Sequence, residues 1–150
     1  MMKKNNKRPI VMADDDPEDF MIVRDVLEEN GFENDFHHCS DGRDLMDYLR
    51  RQGKYKNPAK HPLPGIILLD LNMPGMSGGQ ALTIIKQADM FHHIPVIILS
   101  TSSDPMDIEF CFQSGANAYV EKSHNYDLLS CNLINTLQNW ISGSAIAGMG

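Results

Sequence analysis

Five short apolar runs, each followed by a segment of helical period, leave this chain few folds to choose from. The runs are PIVMA (9–13), ENDFHHCS (33–40), GIILLD (65–70), PVIILS (95–100) and NAYVEK (117–122). Helical spacing fills 17–30, 41–52, 78–88, 104–114 and 124–141. In the first helix Phe20, Val23, Val26 and Leu27 share a face and Asn30-Gly31 punctuates the end. The last carries Leu129, Leu133, Leu137 and Trp140 at the same spacing. Strict alternation of strand and helix predicts parallel strands in one sheet, with helical crossovers on both faces.

The character of the runs suggests their order. Runs one, three and four are nearly continuous aliphatics, as strands buried on both faces must be. Runs two and five mix in Asn34, Asp35, His37, His38, Glu121 and Lys122, as edge strands can. The order 2-1-3-4-5 puts the apolar three in the middle. It is the order of the doubly wound, flavodoxin-like α/β fold, in which ligands sit at the carboxyl ends of strands one and three. A length of 150 residues fits one domain, expected over 9–141. It is flanked by a flexible basic tail (1–8, with Lys3, Lys4, Lys7 and Arg8) and a flexible Gly- and Ser-bearing tail (142–150). The segment GKYKNPAKHPLP (53–64) reads as a polar surface loop, longer than the usual connection.

Composition excludes several roles. A net charge of −7 argues against nucleic-acid binding, whose footprint is usually basic. Cys39, Cys111 and Cys131 have no paired spacing, which suggests a reducing compartment. No apolar run approaches the roughly 18 residues of a membrane span, and no signal peptide precedes the first strand. The expectation is a soluble, cytoplasmic protein with no membrane partner.

Asp14, Asp15 and Asp16 follow the first apolar run directly. Neighbouring carboxylates raise one another's pKa unless a cation or hydrogen-bond donors hold them. Helix-start chemistry accounts for Asp16 as N-cap, Pro17 at the first helical position, and Glu18 and Asp19 in the first turn. It leaves Asp14 and Asp15, which close strand one and face Asp70 at the end of strand three. Three converging carboxylates call for a divalent cation, and hard oxygen ligands favour Mg²⁺. The other carboxyl ends bring DLNMPGMSG (70–78) with Ser77 as a helix N-cap, the hydroxyls of LSTSS (99–103), and Lys122 in YVEK (119–122). Carboxylates, hydroxyl and lysine together suit phosphoryl transfer to Asp70.

Four motifs in this order, MADDDP, LLDLNMPGMSG, VIILSTS and AYVEKS, resemble the receiver domains of two-component response regulators from Pro9 to about Trp140. The long 53–64 loop, LDLNMPGMSG and LSTSSD further resemble small stand-alone regulators that partner phytochrome-type histidine kinases. The resemblance implies that Asp70 accepts a phosphoryl group from a kinase's phosphohistidine. It implies Mg²⁺ on Asp15 directly, on Asp14 mostly through water, on Asp70, and on the Asn72 main-chain carbonyl. Ser100 matches the switch hydroxyl, Lys122 the site lysine, and Tyr119 the aromatic that swings inward, though a half-buried edge tyrosine explains Tyr119 equally well. Two positions depart from the family. Thr101 stands where Ala or Gly is common and could narrow access to the phosphoryl group. Ser123 stands where Pro usually follows the lysine.

A cis bond before a non-proline costs about 2.5–4 kcal/mol, so Lys122-Ser123 is expected trans, with Ser123 or Asn125 free to cap the last helix. The six histidines lack zinc-like spacing and read as exposed and non-functional. Two rivals remain: an Asp-nucleophile phosphatase of small phosphoesters, and a receiver-shaped interaction module that takes no phosphate. No output domain follows the fifth helix, so signalling is expected by protein contact or phosphorelay, without turnover of an external substrate. Homodimerisation is expected through the fourth helix, fifth strand and fifth helix, on apolar surface near Ile108, Cys111 and Phe112.

Overall fold

The computed structural model describes residues 8–149, with side chains as far as Ile141. Lys3, Lys4 and Lys7 of the expected basic tail lie outside the described residues. Strands β1 (Ile10–Ala13), β2 (Phe36–Cys39), β3 (Ile66–Leu69), β4 (Val96–Ser100) and β5 (Ala118–Glu121) alternate with helices α1 (Pro17–Glu29), α2 (Gly42–Arg50), α3 (Gly78–Gln87), α4 (Pro105–Gln113) and α5 (Tyr126–Met149). All strand pairs are parallel, in the order β2-β1-β3-β4-β5. The sheet is the five-stranded flavodoxin-like one expected, with the aliphatic strands central.

Successive side chains of a strand point to opposite faces, so each buried strand feeds two cores. Val11, Ala13, Ile67, Leu69, Val96 and Ile98 pack under α2 and α3 with Leu45, Leu82 and Ile85. Ile10, Met12, Ile66, Leu68, Ile97 and Leu99 pack under α1 and α5 with Val26, Leu133 and Leu137.

Short polar side chains start the helices. Asp16 accepts from Glu18 N–H, Asp41 from Asp44 N–H and Asp104 from Met106 N–H. Ser77 and Gln80 form a reciprocal capping box at α3. Asn125 caps α5 with a single bond, its side-chain oxygen accepting from Leu128 N–H at 3.1 Å. No described peptide bond is cis, so Lys122-Ser123 is trans. α1 ends where Gly31 takes φ +78°, a conformation that costs glycine little.

Four expectations need correction or refinement. First, the 53–64 segment is the surface loop expected, exposed over most of its length, but it opens with a 3₁₀ turn, Gly53–Tyr55, and is tied to α2 through Tyr55. Tyr55 is buried and its hydroxyl donates to Asp44 Oδ1 at 2.7 Å, while Tyr48 donates to the Pro62 carbonyl at 2.9 Å. The ring of His61 packs edge-on against both tyrosines. Second, α5 runs on to Met149, so the backbone of 142–149 is helical where a tail was expected. Third, Cys111 is fully buried against the sheet and offers no surface for association. Fourth, His37, His38 and His61 are partly buried; only His92, His93 and His124 are exposed.

Candidate functional site at the carboxyl edge of the sheet

The three carboxylates singled out from the sequence meet where β1 and β3 end. Asp14 N–H donates to the Cys39 carbonyl and Asp70 N–H to the Ala13 carbonyl, each at 3.0 Å, so ladder bonds fix both backbones. Ligand atoms of Asp14, Asp15 and Asp70 all lie within 4.8 Å of one another. Asp14 and Asp70 are buried and Asp15 is exposed, which gives the cluster one open side.

Lys122 reaches into this cluster from the end of β5. Its N–H donates to the Ser100 carbonyl at 2.7 Å, which anchors its backbone to β4. Its Nζ lies 2.8 Å from Asp14 Oδ2, 2.7 Å from Asp19 Oδ2 and 3.6 Å from Asp70 Oδ1. Burial works to lower the ammonium's pKa, but hydrogen bonds to Asp14 and Asp19 and the charge of Asp70 overcome it and hold the pKa above the ordinary lysine value. Burial pushes the Asp14 carboxyl above the usual range, against the bonds it accepts from Lys122 and the Asp16 N–H. Asp70 is pushed up to about 6, first by burial and further by the charges of Asp14 and Asp15, with Lys122 and the Asn72 N–H (3.5 Å) opposing. One lysine therefore does not neutralise the site. Excess negative charge on hard oxygens, open on one side, fits a divalent cation.

Around the cluster, Ser100 is buried at the end of β4 and its Oγ accepts from Ser102 N–H at 3.1 Å. Ser102 is a hub: its Oγ donates to Asp107 at 2.6 Å, and its carbonyl accepts from the Tyr119 hydroxyl at 2.7 Å. Tyr119 is thus half-buried and tied to the β4–α4 loop. Thr101 is exposed and borders a cavity of about 210 Å³ shared with Asp19, Lys122 and His124. Asn72 is exposed in the β3–α3 loop. That loop is tight because Gly78 presses on Asp70: a Cβ there would collide with the Asp70 carbonyl.

Two participants escaped sequence reasoning. Asp19 looked like first-turn helix chemistry, yet it holds Lys122. The signal was its position three residues after the N-cap: helical side chains tilt toward the N-terminus, and here toward the site. His38 looked exposed, yet its ring stacks on Phe20 and Nε2 meets the Asp14 carbonyl at 2.7 Å. No spacing pattern marks such a contact.

Comparison with known proteins agrees with this geometry. A family model described as the response regulator receiver domain matches residues 10–133. The response regulator Rcp1 of Synechocystis sp. is 33% identical over 123 residues, 82% of each chain. The crystal structure of the phosphorylated cyanobacterial phytochrome response regulator RcpA superposes with a TM-score of 0.83 at 31% identity, covering 91% of this chain and 96% of that one. The Mn²⁺-bound form of Rcp1 gives 0.80 at 30% identity, covering 89% and 94%. With its sheet order, its acid cluster and its lysine, the chain belongs to the response regulator receiver domain family.

Proposed function

We propose that this chain accepts a phosphoryl group on Asp70 from the phosphohistidine of a sensor kinase, of phytochrome type, in the cytoplasm. The observation that carries the reading is the buried Asp70 carboxylate, with Asp14, Asp15 and the Lys122 ammonium converging on it. An Asp70 oxygen attacks phosphorus, the phosphorus–nitrogen bond breaks, and its electron pair leaves with the kinase imidazole. With its pKa near 6, Asp70 is mostly ionised at neutral pH and so available as the nucleophile. Lys122 already lies 3.6 Å from Asp70 and pairs with a phosphoryl oxygen. Ser100 Oγ exchanges its backbone partner for another phosphoryl oxygen, and Thr101, exposed one residue further on, stands beside it.

Asp14, Asp15, Asp70 and the Asn72 carbonyl would hold Mg²⁺. When bound, the ion supplies charge neutralisation for the acid cluster and the phosphoryl oxygens. Relief of the Ser100–Ser102 bond is passed to Tyr119 through the Ser102 carbonyl, which makes Tyr119 the reporter of the phosphorylated state. The phytochrome-type assignment rests on similarity to RcpA. The regulator turns over no external substrate and signals by contact or relay.

The test is labelling with acetyl phosphate and Mg²⁺, read on a phosphate-affinity gel. Wild type acquires one acyl phosphate that needs Mg²⁺, and Asp70→Asn acquires none. Equal labelling of the two sinks the assignment. Rapid release of phosphate without a detectable acyl phosphate favours the phosphatase reading, and no labelling favours the interaction module.

A further inference from the structure

Where β2 ends, one backbone acceptor just past the end of β1 runs out of ladder partners. The Cys39 carbonyl takes the Asp14 N–H, and the chain then turns through Ser40 and Asp41 into α2. The next acceptor, one residue past β1, is the Asp14 carbonyl, and His38 Nε2 meets it at 2.7 Å. A carbonyl oxygen only accepts, so Nε2 carries the hydrogen. The ring is braced: Phe20 stacks on His38 at 4.6 Å and 22°, and on Phe36 at 4.4 Å and 13°. The neighbouring His37 points across the sheet to Tyr48 and cannot replace it.

The Asp14 carbonyl belongs to the peptide plane joining Asp14 to Asp15. One imidazole N–H therefore sets the tilt of the plane from which two of the three clustered carboxylates project. We propose that His38 is a positioning residue of the metal site, acting through the Asp14–Asp15 peptide without touching the ion. The proposal rests on the reading of Asp14, Asp15 and Asp70 as metal ligands. Removing a group that orients metal ligands typically costs about 10–100-fold in affinity.

Calorimetric titration of the full chain with MgCl₂ tests it. His38→Phe keeps a ring for Phe20 to stack on and removes the donor; His38→Gln restores an N–H donor. His38→Met matches Gln in shape without the donor, so the Gln and Met pair carries the comparison if the Phe variant fails to fold. Phe and Met are expected to weaken Mg²⁺ binding about tenfold, with Gln recovering most of it. In an Asp15→Ala background the same Phe change is expected to cost clearly less, because one carboxylate it positions is gone. Wild-type affinity in the Phe or Met variant overturns the proposal. Equal weakening by Gln and Met also overturns it, since packing would then matter and the N–H would not. Wild-type protein that binds no Mg²⁺ overturns the metal reading itself, a result distinct from the other two.

Discussion

The cost of the site is concentrated in single carboxyl groups. Asp70 titrates near 6 in the fold against 3.8 for the free side chain, so the folded state holds the proton more tightly than the unfolded one. Stability from this group is fully present below about pH 4 and is lost as pH rises through 6; the ionised form then costs about 3 kcal/mol. Asp14, raised by the same burial, adds a cost of the same sign. Metal-free Asp70→Asn is therefore expected to be more stable than wild type at pH 7.5, by up to about 3 kcal/mol, and the gain should shrink at pH 4.5. Urea unfolding in EDTA at the two pH values checks it; a variant less stable at pH 7.5 would contradict the cause assigned. Asp16 behaves differently. Its carboxylate caps α1 through the Glu18 N–H, so Asp16→Ala is expected to cost about 0.5–2 kcal/mol while Mg²⁺ affinity, read by titration, stays near wild type. Asp14, Asp15, Asp70 and Lys122 were legible because strand ends and residue chemistry coincide there. Asp19 and His38 were not, because each already had an ordinary local reading and its partner lies far away in sequence.

At the scale of elements, the strands could be read almost to the residue because burial on two faces demands unbroken aliphatics, and polar edges fixed their order. The 53–64 segment was legible as a surface loop, but its attachment was not, since its prolines and lysines concealed the roles of Tyr55 and His61. What holds it is specific: a phenol donating to a carboxylate, edge-on ring packing, and a second phenol donating to the Pro62 carbonyl. Tyr55→Phe removes one hydrogen bond to a charged acceptor and is expected to destabilise the domain by about 1.5–3 kcal/mol. Faster amide exchange through 53–64, with little change in β3, would show that the strap itself has loosened; unchanged exchange there would show that the phenol contributes nothing to holding it.

For the whole molecule, the open question is which surface carries the signal away. The candidates are the faces that expose large apolar side chains. On α4, Cys111 points into the core, and residues one step either side lie about 100° away in opposite directions. Phe110 takes the α3 side, against Gly79. Phe112, 47% exposed, therefore takes the side toward β5, together with half-buried Ile108. This is also where the Ser102 hub meets Tyr119, so a change at Ser100 reaches the apolar surface through two hydrogen bonds. We expect self-association through α4, β5 and α5 that strengthens with a beryllofluoride phosphoryl analogue. Phe112→Lys should weaken it, because a charge in an apolar contact must be desolvated without a partner. Tyr119→Phe keeps the ring but cuts the link to Ser102, and should leave association indifferent to the analogue. Sedimentation velocity reads all three. A monomer with and without the analogue would remove this face from consideration and direct the search to the α1 and α5 side, where Ile22 and Leu128 are also exposed.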